Sequence, residues 1–89
     1  MTPAVPTNRL TIDLNWLLQY DNLKLWMENN KYCVKFLNCR VKQKFFYFDD
    51  IYGRGETVFA ACRNYREQLV GKTLLFDYGS YKQEINIKE

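Results

Sequence analysis

The stretch KFFYFDD, residues 44–50, sets four aromatic residues in a row. Side chains of a β-strand point to opposite faces by turns. In a strand running through this stretch, Phe45 and Tyr47 share one face and Phe46 and Phe48 the other. One face suits an ordinary core. The other needs a cover, which could be the protein's own chain, a nucleic acid or another protein.

Upstream, Leu23, Leu25 and Met27 alternate with Lys24, Trp26 and Glu28, and Asn29-Asn30 follows. Asparagine tolerates the left-handed backbone that a tight hairpin needs. The return, KYCVKFLN, alternates Tyr32, Val34 and Phe36 with Cys33, Lys35 and Leu37. After a polar turn at Asn38-Cys39-Arg40, VKQKFFYF (41–48) reads as a third strand. The three consecutive strands predict an antiparallel meander.

Downstream the period changes. Val58, Ala61, Cys62, Tyr65 and Leu69 make one apolar face of a helix. Arg63, Arg66, Glu67 and Gln68 fill its other side, and Gly71 stands where a helix ends. TLLFDYGSYKQEINI (73–87) then reads as a second hairpin turning at Gly79-Ser80. Residues 1–8 hold both prolines and predict a flexible lead-in. Leu10, Ile12 and Leu14 alternate as in a strand, and Leu14, Leu17 and Leu18 have helical spacing, which predicts a short strand running into a helical turn capped by Asp13. The expected fold is α+β: a three-stranded antiparallel sheet packed on one α-helix, with an N-terminal extension and an extra C-terminal hairpin. Residues 9–89 are expected to form one domain with its core in 22–71.

An 89-residue chain is near the size at which one core becomes marginal, but 17% aromatic residues bury much area at small entropic cost. The chain has three cysteines, no histidine and no CxxC pair, so thiols reduced in a cytoplasmic protein fit better than a zinc site. Met1 to Arg9 lacks the apolar core of a signal peptide, and no apolar run reaches membrane-spanning length. A soluble, cytoplasmic protein without cofactor or metal is expected.

The net charge is +3, but its placement says more than its size. From Asn29 to Phe48 there is no Asp or Glu, while Lys31, Lys35, Arg40, Lys42 and Lys44 fall there. Lysines can protect sheet edges in solvent. They also make a phosphate-attracting surface.

The block from Lys31 to Gly71 resembles the Apetala-two-type DNA-binding domain of plant ethylene-response factors, and most of all the versions in phage and bacterial homing endonucleases. The resemblance rests on the pair Tyr52-Gly53 and on the helix VFAACRNYREQL with its "AA..NYREQL" spacing. It covers about half the chain. It implies a three-stranded sheet with Tyr32, Val34, Phe36 and Tyr47 toward the helix. Lys35, Lys42 and Lys44, with Lys24 and Trp26, then face the major groove of duplex DNA. Lysines would hold phosphates, and Trp26 would pack on a sugar or a thymine methyl. The family's outward positions are rich in arginine, whereas Cys33, Leu37, Phe46 and Phe48 stand here beside lysines. Lysine lacks the fork that reads guanine, so phosphate-led binding of low sequence selectivity is expected.

Three other readings compete. Gly53-Arg54-Gly55 before a helix invites a phosphate loop, but without a third glycine or Walker lysine it reads as a structural turn, with Arg54 able to touch a phosphate. Asp49, Asp50 and Glu56 form the one acidic cluster that invites a metal site, but Asp49 and Asp50 are better read as ending the third strand. No nucleophile–base pair or cofactor fingerprint points to an enzyme or a small-molecule substrate. The rival to DNA is a protein-interaction module, such as a phage-encoded, anti-CRISPR-like inhibitor of a host nucleic-acid-handling complex. It would be anchored by Trp26, Leu37, Phe46 and Phe48. Exposure discriminates: a cover of Leu10, Ile12, Leu17, Leu74, Phe76 and Ile85 over Phe46 and Phe48 would partly occlude the family's DNA face, exposed lysines over a covered or flat sheet favour DNA, and exposed Phe46 and Phe48 favour a protein partner.

Overall fold

In the computed structural model, which describes residues 12–88, the chain first reverses where the turn chemistry is strongest. Strand β1 (Leu23–Glu28) pairs antiparallel with β2 (Lys31–Phe36), with Glu28 opposite Lys31. Asn29 and Asn30 close the turn at φ 52° and 63°, a conformation asparagine accepts. The next turn holds Asn38 at φ 49° and carries the chain out of this sheet.

Cys39–Gln43 forms β3, and Phe46–Phe48 returns against it as β4. Residues 41–48 are therefore a hairpin and not one strand. Gln43 pairs with Phe46, so Lys44 and Phe45 form a two-residue turn, with Lys44 at φ 60°. This corrects the meander. The third strand beside β2 is β5 (Gly53–Gly55), with Cys33 opposite Arg54. Gly53-Arg54-Gly55 is thus a strand and not a turn. The three-stranded sheet has the order β1-β2-β5, and a four-stranded sheet has the order β4-β3-β6-β7. The C-terminal hairpin, β6 (Thr73–Asp77) and β7 (Lys82–Asn86), enters the second sheet by pairing β6 with β3. The fold is α+β.

Helix α2 (Val58–Leu69) packs on β5 and β2. Thr57 caps it, its hydroxyl accepting a 3.0 Å hydrogen bond from the Ala60 amide. Gly71 follows its end at φ 82°. Ala61, Cys62, Tyr65 and Leu69 are buried, and Val58 partly so. The glycines of β5 let the helix approach. A Cβ on Gly53 would collide with the Ala61 carbonyl and lie 2.7 Å from the Tyr65 amide nitrogen. A Cβ on Gly55 would lie 2.7 Å from that of Ala60. Side chains would hold strand and helix apart.

The Phe36 ring joins the layers. Its centroid lies 5.4 Å from Tyr65 on α2 and 5.3 Å from Phe76 on β6. The Phe36 amide donates to the Tyr65 hydroxyl at 3.1 Å, so the buried phenol satisfies a backbone donor. The core reaches outside 22–71: Leu17, Leu74 and Phe76 are fully buried, and Ile87 nearly so.

Residues 12–18 form helix α1, not strand. Asp13 lies inside it and holds Arg66 at 3.0 Å and Arg63 at 3.5 Å, while Trp16 stacks under the Arg66 guanidinium. The cap assigned to Asp13 is thus a link between the helices. The expected lead-in over 1–8, and Leu10 of the expected strand, lie outside the described residues.

Candidate nucleic-acid interface

Strand register decides which side chains share a face, because directly paired residues point the same way. In the three-stranded sheet, Leu23, Leu25, Met27, Tyr32, Val34 and Phe36 point to the side of α2, with Gly53 and Gly55. The opposite face carries three cross-strand rows, one of them Glu28 with Lys31. Lys24 pairs with Lys35, and Trp26 pairs with Cys33, which pairs with Arg54. Four of the residues proposed from sequence thus meet on one outer face.

Trp26 organises it. The Lys24 ammonium stands 5.3 Å from the Trp26 ring centroid, and the centroid of the Tyr52 ring lies 5.5 Å from it. Beside this cluster Cys33 is fully buried. Lys24 and Arg54 are exposed and, among the described residues, form no ion pair. The Arg54 amide donates to Asn64 on α2 at 3.1 Å, and Gln68 donates to the Tyr52 carbonyl at 2.8 Å. The strand is thereby fixed to the helix while the guanidinium stays in solvent.

Not every cation here is free. Lys31 pairs with Glu56, and Lys35 donates to the Asp49 carbonyl. Glu28, on the same face, accepts from the Tyr52 hydroxyl at 3.4 Å. Asp49 and Asp50 follow the end of β4, as the strand-end reading expects, and the Glu56 carboxylate holds Lys31. Among the described residues no three His, Cys, Asp or Glu side chains gather as metal ligands.

Arg40, Lys42 and Lys44 belong to the other sheet. Arg40 shares a polar groove of about 300 Å³ with Lys35, Asp49 and Asp77, so acidic and basic residues line it together. Lys42 and Lys44 line a second groove, of about 490 Å³, with Lys72, a residue the sequence reading passed over. Tyr47 was expected against the helix. It instead pairs with Lys42 on the outer face of the four-stranded sheet, under the Lys42 ammonium and donating to Glu84. That hydrogen bond to a carboxylate raises the Tyr47 pKa.

Phe46 and Phe48 share the inner face with Val41 and Leu74, but β4 is an edge strand and projects past the core. They remain 68% and 40% exposed, and Phe45 at the turn 88%. Leu17, Leu74 and Phe76 are buried in the core, so the expected cover over these rings does not form. Leu37 is also exposed. Phe45 was missed as a surface anchor because a continuous strand would have turned it inward.

The three thiols are free and buried. Burial pushes Cys39 up to about 12 and Cys62 up to about 11, which keeps both protonated and poorly nucleophilic. Among the described residues, no helix is long and apolar enough to cross a membrane.

Comparison with known protein families, with characterised proteins and with solved structures finds no match to this chain.

Proposed function

We propose that the protein is a non-enzymatic module that binds duplex DNA through the outer face of its three-stranded sheet. One observation carries this reading: the rows Lys24–Lys35 and Trp26–Cys33–Arg54 set three cations around an aromatic ring on the face turned away from α2. A sheet face of this width enters a major groove. Lys24 and Lys35 neutralise phosphates, Arg54 adds the fork that lysine lacks, and Trp26 packs on a sugar or thymine methyl. The resemblance to the Apetala-two type points to the same face, with β5 in place of residues 41–48 as the third strand. Glu28 within the face, and only one arginine on it, favour phosphate-led binding of low selectivity.

The test is fluorescence anisotropy of a labelled random duplex across a salt series. The reading predicts a log–log salt slope of about −2 to −3, from about 0.9 per neutralised phosphate. Absence of binding at low salt contradicts it.

A second reading has its own observation in the exposed rings of Phe45, Phe46 and Phe48. Aromatic residues at this exposure suit anchors for a protein partner, such as a host nucleic-acid-handling complex. Under that reading the triple alanine variant of these residues keeps its fold and loses the partner, while duplex affinity is nil throughout.

A further inference from the structure

Strand β1 lies at the end of its sheet, and no described strand pairs with its outer side. In a hairpin with a two-residue turn, the residues flanking the turn exchange hydrogen bonds, and the pattern alternates from there. Glu28, Trp26 and Lys24 therefore turn their backbone groups toward β2. Leu23, Leu25 and Met27 turn theirs to the open edge.

This edge is unlike the others. Strands β4 and β5 are three residues long, and β7 (KQEIN) is polar at every position but the inward Ile85, so each is poorly suited to pairing with another chain. Strand β1 is six residues long and presents Leu25, 52% exposed, and Met27, 56% exposed, on one face. Helix α2 covers β2 and β5 and leaves this end of β1 open.

The sequence of β1 is complementary to itself. In an antiparallel pairing of two copies centred on Trp26, Lys24 of each copy faces Glu28 of the other. Leu25 of each copy faces Met27 of the other. The two Trp26 rings meet at the axis, in the pair type where side chains come closest. This register also matches the free backbone groups, because Leu25 and Met27 are the residues whose donors and acceptors point outward. Helix-side faces then lie on the same side of the joined sheet, as two-fold symmetry about an axis normal to the sheet requires. Lys24 and Glu28 have no ion pair among the described residues, and Glu28 accepts only long contacts, from the Tyr52 hydroxyl at 3.4 Å and the Cys33 thiol at 4.0 Å.

We propose that the occupant of this edge is a second copy of the chain, paired through β1 in the register Lys24–Glu28, Leu25–Met27, Trp26–Trp26. The proposal stands whether or not the outer face takes DNA. If it does, the two faces lie side by side around the axis.

Sedimentation velocity of the full chain without nucleic acid, from micromolar to millimolar concentration, tests it. The expected result is a mass that rises with concentration from the chain mass toward twice that value. Lys24→Glu and Glu28→Lys each set like charges opposite one another at two symmetry-related places, and each weakens association about tenfold. The double variant K24E/E28K restores the wild-type constant to within a few-fold, because the swap preserves every opposed pair. Should a charge variant lose its far-UV circular dichroism, Met27→Lys carries the same test from an exposed position and is expected to leave a monomer. A chain that stays monomeric to millimolar concentration overturns the proposal. So does a dimer indifferent to these changes, or a double variant that fails to recover.

Discussion

The hairpins β1–β2 and β3–β4 both reverse through two residues, yet they are built differently. Asn29-Asn30 gives the first turn the residues its left-handed backbone favours. Lys44-Phe45 gives the second a lysine at φ 60° and a ring almost wholly in solvent. The first hairpin carries Lys24, Trp26 and Lys35 on an ordered face. The second carries Lys42, Lys44 and three exposed phenylalanines on an edge. Where local chemistry and backbone agree, the residues read as structure. Where they disagree, the turn keeps residues that do not suit its backbone.

The contrast depends on β5, not residues 41–48, completing the sheet under α2. Gly53→Ala breaks it most severely: the collision with the Ala61 carbonyl is expected to lower stability by about 3 kcal/mol or more in urea denaturation. A loss below about 1 kcal/mol, typical of a glycine in an open strand, would place the helix contact elsewhere.

The second hairpin is anchored at its root by Cys39, and alkaline pH tests that anchor. Cys39 and Cys62 are raised from 9.0 to about 12 and about 11 by burial, and burial also raises Tyr65. The unfolded thiols lose their protons first, so the folded state binds more protons above pH 9. Stability from these groups is complete below pH 9 and falls as pH rises toward the folded values. From pH 7 to 10 the loss is expected to be about 3 kcal/mol, read as a lower urea midpoint. A midpoint unchanged at pH 10 would contradict buried, protonated thiols.

The turns themselves give smaller effects of opposite sign. Lys44→Gly relieves a positive φ and is expected to stabilise by about 1 kcal/mol, while Asn30→Ala introduces the same strain and destabilises by about 1 kcal/mol. If Lys44→Gly also destabilises, the tip is not strained.

Much of the fold was legible in the sequence. The alternation of residues 23–36, the helix period from Val58 to Leu69, Gly71 and the last hairpin each had one dominant local signal. The division into two sheets did not, because KFFYF satisfies strand preference at every position and neither Lys44 nor Phe45 marks a turn. The β5 strand was hidden for the converse reason: Gly53 and Gly55 are poor strand formers, and they serve there because α2 lies so near. The same error shaped the site. Lys24, Trp26 and Lys35 were placed by alternation together with the family resemblance, and Arg54 joined them through a strand the sequence did not announce. Lys42 and Lys44 were grouped with them by nearness in sequence and lie on the other sheet.

That separation gives the most direct test of the proposed DNA-binding face. Duplex affinity should be measured against salt for two double variants, K24A/R54A on the first sheet and K42A/K44A on the second. The account predicts that K24A/R54A weakens binding and lowers the log–log slope by about two, while K42A/K44A leaves the slope within about half a unit of wild type. Loss that follows Lys42 and Lys44 and spares Lys24 and Arg54 would contradict it.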